Sequence, residues 1–116
     1  MKHNMKLQNN PFEMIKNGTK TIEMRLNDEK RKKLNIGDTI EFRNIITTET
    51  LETLIEDIKA YSTFKELYKN YSKEELGYSK DEIASPDDME KYYSKEEQEK
   101  YGVLAIRIKV LKSKKN

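Results

Sequence analysis

Polar and hydrophobic residues alternate most regularly in residues 19–26. Apolar side chains occupy every second position of this segment, at Ile22, Met24 and Leu26. A period of two places such side chains on one face of a β-strand and the intervening residues on the other face. The intervening residues are polar: Thr21, Glu23 and Arg25. The pattern therefore predicts a strand that presents three polar side chains on one face.

Weaker alternation predicts three further strands, at residues 5–8, 39–43 and 103–111. A short helix is predicted at residues 11–17, because Asn10 is a favourable N-cap and Pro11 suits the first helical position. Gly18 suits the left-handed conformation that ends many helices. Residues 29–34 are predicted to form a short basic helix or turn.

Residues 51–61 fit two patterns. Four apolar residues lie at helical spacing: Leu51, Leu54, Ile55 and Ile58. This spacing slightly favours an amphipathic helix. The alternative is a strand in which a β-bulge near residues 56–57 shifts the phase of the alternation. The residues alone leave both structures open.

Residues 64–100 contain repeated signals for helix starts. Three Ser/Thr-x-x-Glu pairs form potential capping boxes: Thr63 with Glu66, Ser72 with Glu75, and Ser94 with Glu97. Ser85 followed by Pro86 gives a fourth start. The segment is therefore predicted to be a string of short helices, whose tyrosines we expect to pack half-buried against the core.

Composition limits the size of the core and the range of partners. The chain has 116 residues, of which 38% are charged and 34% hydrophobic, so we expect one domain over residues 1–116 with a lean core. Residues 1–4 and 112–116 are expected to be frayed at the two ends. The formal net charge is only +2, which argues against a long basic groove for nucleic acid.

The residue types exclude several kinds of chemistry. The chain has no cysteine, and its single histidine, His3, lies in the segment expected to be frayed. Any catalysis would therefore use Lys, Glu, Asp, Thr, Ser or Tyr side chains. The carboxylates of Asp87, Asp88 and Glu90 are interpreted as charges at a helix start, so no metal site and no cofactor are expected. No long apolar run and no signal-peptide pattern occurs, which favours a cytoplasmic protein without a membrane segment.

Several short motifs in a fixed order resemble the ASCH domain family of the PUA-like superfamily. The central one is the G-x-K-T-x-E-x-R pattern at residues 18–25, and the others lie at residues 10–18, 36–42, 61–64 and 100–106. The chain is most similar to small stand-alone bacterial and archaeal members. The resemblance implies an α+β fold: a PUA-like, mixed but mostly antiparallel β-barrel with short peripheral helices. It also favours a strand for residues 51–61.

The resemblance implies two functions. ASCH domains are widely proposed to bind RNA, and one branch of small ASCH proteins hydrolyses the acyl group from N4-acetylcytidine. By that likeness Lys20 matches the catalytic lysine and Thr21 the neighbouring threonine, while Glu23 occupies the position of the nucleophilic threonine. The third catalytic residue would lie near Glu74 or Glu75. Lys20, Thr21 and Glu23 are therefore the candidate catalytic residues.

Ligand binding requires less of these residues than catalysis does, because it needs no activated nucleophile. Arg25 can hold a phosphate or a base edge, Glu23 can accept from an exocyclic amine, and Lys20 supplies a positive charge. Tyr93 and Tyr101 could stack on a base. We therefore expect a pocket for RNA or a nucleoside or nucleotide, lined by Lys20, Thr21, Glu23 and Arg25.

Less specific explanations of these residues stay open. A Thr-Glu-Arg face can be an ordinary solvated strand, and the basic run at residues 30–33 is either a phosphate-facing patch or a solvated helix face. Hydrolysis of an acylated nucleoside is the alternative function. A protein-interaction module is the third, and the absence of a broad apolar stripe in the sequence weighs against it.

Overall fold

The computed structural model describes residues 1–114, which form five strands, four α-helices and two short 3₁₀ helices. In chain order the strands are β1 (Lys2–Leu7), β2 (Ile22–Leu26), β3 (Thr39–Asn44), β4 (Thr50–Tyr61) and β5 (Val103–Lys114). The α-helices are α1 (Asn9–Lys16), α2 (Phe64–Tyr68), α3 (Lys73–Leu76) and α4 (Lys95–Tyr101). The 3₁₀ helices are Arg31–Lys33 and Pro86–Lys91.

The five strands form one mixed sheet in the order β1-β3-β4-β5-β2. β1 runs parallel to β3, and the other neighbours are antiparallel. The expected α+β class and mostly antiparallel sheet are confirmed, but the expected closed barrel is wrong. Among the described residues β1 and β2 pair only with β3 and β5, so both remain edge strands. Closure would require a ladder between them; instead the Arg25 side chain reaches across the gap, donating from Nη2 to the Lys6 carbonyl at 3.1 Å.

Residues 51–61 form a strand, so the helix that their spacing slightly favoured is wrong. The bulge expected near residues 56–57 is present: Ile55 pairs with Ile108 and Asp57 with Arg107, which leaves Glu56 unpaired and exposed. The extra residue shifts the alternation and thereby produces the false helical spacing.

The strand alternation sorts the apolar residues into two cores on the two faces of the sheet. The first core includes Phe12 and Ile15 of α1, together with Ile40, Phe42 and Ile106 of the sheet. The second core lies beneath the later helices and consists of Ile22, Met24, Leu26, Phe64, Leu67, Leu76, Met89, Val103 and Ala105. Because β2 turns its apolar residues toward the second core, its polar residues face the opposite side of the sheet.

The capping signals place the later helices as the sequence predicts. Ser72 and Ser94 form full capping boxes with Glu75 and Glu97, and the Thr63 hydroxyl accepts a hydrogen bond from the Glu66 amide. The first helix differs, since its N-cap is Gln8 and not Asn10.

Residues 2–4 and 112–114, which belong to the segments expected to fray, lie in strands. Lys2 to Asn4 pair with Thr39 to Glu41 in β1, and the His3 ring lies 2.8 Å from the Asp38 carboxylate. That contact lowers the pKa of Asp38 to about 2. Residues 112–114 continue β5 opposite β4. Residues 115–116 of the expected tail lie outside the described residues.

Candidate binding cleft

A cleft of about 800 Å³ opens between the two edge strands. Residues from positions 6–11 line one wall, Lys20 and residues 23–25 form the floor, and residues from positions 76–93 line the opposite wall. Its volume falls within the range of small-molecule sites in proteins. The incomplete closure of the sheet is therefore what creates the cleft.

Lys20 lies on the floor of the cleft and is only 5% exposed. Its Nζ donates to the carbonyl oxygens of Ile22 at 2.7 Å and Leu76 at 2.9 Å, and lies 3.4 Å from Glu23 Oε1. These three acceptors match the three N–H groups of an ammonium. Burial lowers the pKa of Lys20, and the negative charge of Glu23 opposes that change.

The backbone at Gly77 makes room for Lys20. Gly77 ends α3 in a left-handed conformation, with φ of 104°. A Cβ at this position would lie 2.9 Å from Lys20 Cδ. Glycine therefore both permits the turn and leaves space for the lysine chain to reach the Leu76 carbonyl.

Glu23 and Arg25 form an ion pair next to Lys20. Arg25 Nε donates to Glu23 Oε2 at 2.8 Å, and Nη2 lies 2.7 Å from the same oxygen. Burial acts to raise the pKa of Glu23, but the charges of Arg25 and Lys20 outweigh it and hold that pKa below its usual value. Glu23 is thus an ionised carboxylate between two cations, and the three side chains carry a net charge of about +1.

A chain of hydrogen bonds links residues of the wall formed by positions 76–93. Tyr78 donates from its hydroxyl to Asp88 Oδ2 at 2.7 Å, and the Tyr68 hydroxyl lies 2.8 Å from that of Tyr78. Burial, with Tyr68 and Asp88 close by, raises the pKa of Tyr78 far above its ordinary value. All three side chains line the cleft. The network ties the segment that carries Asp88 to α2.

Tyr93 is one of the tyrosines that line the cleft. Its ring stacks on Phe64, with centroids 6.2 Å apart and planes 16° from parallel. The side chain lines the cleft and interacts with Arg25, whose pKa it helps to raise. Burial raises the pKa of Tyr93, so its hydroxyl stays protonated at neutral pH.

Four other residues considered for the site lie away from the cleft: Thr21, Tyr101, Glu74 and Glu75. Thr21 instead lines a groove of about 320 Å³ beside the end of α1, where its Oγ1 is buried without a hydrogen-bond partner. Tyr101 packs against the second core, under the Lys100 amine. The Glu75 carboxylate caps α3 and contacts Arg107 Nη1 at 3.2 Å, and neither it nor Glu74 lines the cleft. Thr21 departs from the face of Glu23 because β2 begins only at Ile22.

Three residues that line the cleft, Tyr68, Tyr78 and Asp88, were not predicted as cleft residues from the sequence. Their hydroxyl contacts join positions ten residues apart, from α2 through Tyr78, which follows the C-cap of α3, to the 3₁₀ helix Pro86–Lys91. Such spacing belongs to no secondary-structure period, so no local pattern marks it. Asp88 was interpreted as a helix-start charge, a position it also occupies in the 3₁₀ helix Pro86–Lys91.

The basic run at residues 30–33 does not line the cleft. Arg31 turns inward, with Nη1 2.7 Å from Asp28 Oδ2, whereas Lys32 and Lys33 are exposed. Over residues 1–114, no cluster of three or more His, Asp or Glu side chains is arranged to hold a metal ion. Within the same residues, no helix is long and apolar enough to span a membrane.

An open mixed sheet with a polar cleft between its edge strands defines an α+β protein in which that cleft is a candidate ligand site. The ASCH domain model matches residues 5–112, and this chain belongs to the ASCH domain family. No curated protein of described function matches the sequence significantly.

Solved structures with the same fold include two relatives of similar length. Hypothetical protein PH0355 is 35% identical, with a TM-score of 0.81, over 96% of this chain and 100% of that one. Protein PF0455 from Pyrococcus furiosus is 34% identical, with a TM-score of 0.70, over 97% of this chain and 99% of that one. The ASCH protein from Zymomonas mobilis shares the fold at 14% identity, with a TM-score of 0.70, over 98% of this chain and 73% of that one.

Proposed function

We propose that the cleft binds a nucleotide of RNA and that Lys20, Glu23 and Arg25 form the floor of the site. The observation that carries the proposal is a cluster of three charged side chains at the bottom of a cleft of about 800 Å³, in which Lys20 and Glu23 are buried and Arg25 is partly buried. Family membership supports it, since ASCH domains are generally associated with RNA binding. A cytoplasmic location, where RNA is abundant, fits the same proposal.

A buried charge cluster is poorly explained by stability alone. Removing charges from water is costly, and hydrophobic residues of similar size often stabilise a fold as well or better. Charged groups with perturbed pKa values inside a cleft are more frequent at functional sites. The low pKa of Glu23 and the lowered pKa of Lys20 meet that description.

Each side chain has a distinct role in the proposed site. Glu23 keeps lone pairs beyond those used by Lys20 and Arg25, so it can accept from the exocyclic amine of a base. Arg25 adds positive charge for a phosphate or a base carbonyl. Tyr93, held in place by Phe64, offers an aromatic surface to the base or ribose.

Binding of nucleoside monophosphates and N4-acetylcytidine to wild type and Arg25→Ala, measured by calorimetry, tests the proposal. We expect at least a ten-fold loss of affinity in Arg25→Ala, because a charge-assisted contact is worth more than about 1.4 kcal/mol. Arg43→Ala is the control, since Arg43 is exposed on β3 and lies outside the cleft. Arg25→Gln, which removes the charge but keeps a polar side chain, replaces Arg25→Ala if that variant is unstable. Unchanged affinity in whichever of these two variants is folded would refute the site.

The geometry favours binding over hydrolysis of an acylated nucleoside. Thr21 lines the other groove, which Lys20 also borders, but Lys20 Nζ already donates to two backbone carbonyls. The Glu23 carboxylate, held ionised by two cations, is a weak base. We therefore expect no loss of the acetyl group from N4-acetylcytidine incubated with the protein. Turnover that disappears in Lys20→Ala would make the protein a hydrolase and Glu23 the residue that activates water.

A further inference from the structure

Three apolar side chains stand exposed around the mouth of the cleft. Ile45, Ile83 and Tyr92 all line it, and they are 44%, 90% and 61% exposed. They come from two separate segments, the turn after β3 and the segment between α3 and α4. We call these three residues the apolar rim. Large apolar side chains gathered at one opening indicate a contact surface.

The structure holds Ile83 outward by polar contacts. Lys73 Nζ donates to the carbonyl oxygens of Lys80 and Glu82, each at 2.7 Å, and the Ser79 amide donates to Glu82 Oε1 at 2.7 Å. The loop that carries Ile83 is thus fastened to α3. Its side chain is presented to solvent by a fixed backbone.

The charges at the mouth are complementary to a phosphate backbone. Lys6 and Lys91 line the cleft and are exposed, and within residues 1–114 neither side chain forms an ion pair or a hydrogen bond. The acidic side chains nearby are engaged, since Glu82 accepts from the Ser79 amide and Asp88 from Tyr78. Lys6 and Lys91 therefore offer unpaired positive charge at the mouth, beside two carboxylates that keep their charge but already accept hydrogen bonds from neutral groups.

We propose that the apolar rim binds the base next to the nucleotide in the cleft, so that the partner is single-stranded RNA of two or more nucleotides. This inference rests on the proposed function. Tyr92 and Tyr93 are neighbours in sequence, and Tyr93 lies half-buried beside Arg25 whereas Tyr92 is exposed at the mouth. One base would enter the cleft, and the next would stack on the Tyr92 ring between Ile45 and Ile83, with Lys6 and Lys91 close to the phosphates.

Duplex RNA does not suit this surface. Bases in a duplex are stacked on one another, and their faces are not open to side chains. The rim requires an unstacked base, which single strands, loops and ends provide. Free nucleosides would use the floor of the cleft and leave the rim without a contact.

The experiment compares a mixed-sequence single-stranded RNA hexamer, its duplex and cytidine 5′-monophosphate on wild type, Tyr92→Ala and Ile36→Ser. Tyr92→Ala removes the ring, and Ile36 is 62% exposed outside the cleft, which makes Ile36→Ser the control. We expect the hexamer to bind more tightly than the monophosphate and the duplex. Tyr92→Ala should weaken hexamer binding by about ten-fold and leave monophosphate binding unchanged. Tyr92→Phe should restore it.

The outcomes separate the two proposals. Equal affinity for hexamer and monophosphate, with no effect of Tyr92→Ala, would overturn the apolar rim as a binding surface and leave the cleft intact. Loss of binding to all probes in Arg25→Ala, with Tyr92→Ala active on the monophosphate, supports both. A wild type that binds none of the probes would refute the proposed function itself, and duplex binding as tight as hexamer binding would refute the single-strand preference.

Discussion

The Glu23 carboxylate lies between the buried Lys20 ammonium and the partly buried Arg25 guanidinium, and removing its charge should show how much the cluster contributes to stability. Glu23→Gln keeps the shape of the side chain but leaves Lys20 and Arg25 without a counter-charge. Breaking a buried ion pair on one side costs about 3–5 kcal/mol. We expect a loss of that size in the free energy of unfolding at pH 7, measured by urea denaturation.

The pH dependence of that loss follows from the pKa of Glu23, which folding lowers from 4.5. A carboxyl group with a depressed folded pKa stabilises the protein above its unfolded pKa, and this contribution falls as the pH drops through the folded value. The stabilities of wild type and Glu23→Gln should therefore converge as the pH falls below 4.5 and through the lower folded pKa of Glu23. Glu56→Gln is the control, because Glu56 is exposed on the bulge of β4. A Glu23→Gln loss no larger than that of Glu56→Gln would contradict an energetic role for the cluster.

At the residue scale, the sequence predicted which face of β2 a side chain lies on better than how deeply that side chain is buried. The alternation of β2 correctly put Glu23 and Arg25 on one face, opposite Ile22 and Met24. It could not predict the burial of Lys20, because that depends on the carbonyl of Leu76, far away in the chain. A local pattern records neither such partners nor the depth of a cleft.

At the scale of secondary-structure elements, the C-terminal end of α3 positions the Lys20 side chain. Substitution of Gly77, which ends this helix, tests that role. Alanine at a left-handed position costs about 1–2 kcal/mol. Gly37→Ala should show this cost alone, because Gly37 has φ of 94° and an added Cβ would meet no atom within 4 Å. Gly77→Ala should lose more stability, since its Cβ would lie 2.9 Å from Lys20 Cδ.

The two glycine variants should differ more clearly in ligand binding than in stability. Displacing Lys20 disturbs Glu23, so Gly77→Ala should weaken nucleotide binding by about ten-fold while Gly37→Ala leaves it unchanged. Thermal unfolding and calorimetry on the same preparations measure both effects. Equal losses of affinity in the two variants would show that the effect of Gly77 is general destabilisation.

The elements also show which parts of the fold a local sequence pattern can predict and which depend on tertiary contacts. The capping pairs predicted the starts of the later helices because the hydrogen bonds are local, as at Ser72 and Ser94. The strand at residues 50–61 was ambiguous because one bulged residue, Glu56, changes the phase of the alternation. Lys2–Leu7 was expected to fray at its start, yet pairing with β3 orders it, and no local signal reports that pairing.

At the scale of the whole molecule, the near-balance of charge hides a local asymmetry. The formal net charge is +2, but Lys6 and Lys91 stand unpaired at the mouth of the cleft among the described residues. The basic run at residues 30–33 lies elsewhere on the surface. Net charge alone therefore says nothing about which of the two basic regions would meet the phosphates of an RNA.

The salt dependence of RNA binding distinguishes these two basic regions. Each phosphate contact on a single strand adds about 0.7 to the negative slope of log affinity against log salt concentration. We expect a shallow slope of about −1.4 from Lys6 and Lys91 for the RNA hexamer. Lys6→Ala and Lys91→Ala should each make it less steep by about 0.7, measured by fluorescence anisotropy between about 50 and 300 mM salt.

Lys33→Ala is the control for this series, since Lys33 is exposed in the basic run and lies outside the cleft. Its slope should equal that of wild type, because a cation that touches no phosphate releases no counter-ion on binding. A slope much steeper than about −2, reduced by Lys33→Ala and unaffected by Lys6→Ala, would assign the backbone contact to the basic run. In that case RNA would cross the 3₁₀ helix Arg31–Lys33, and the cleft would receive at most a nucleotide from its end.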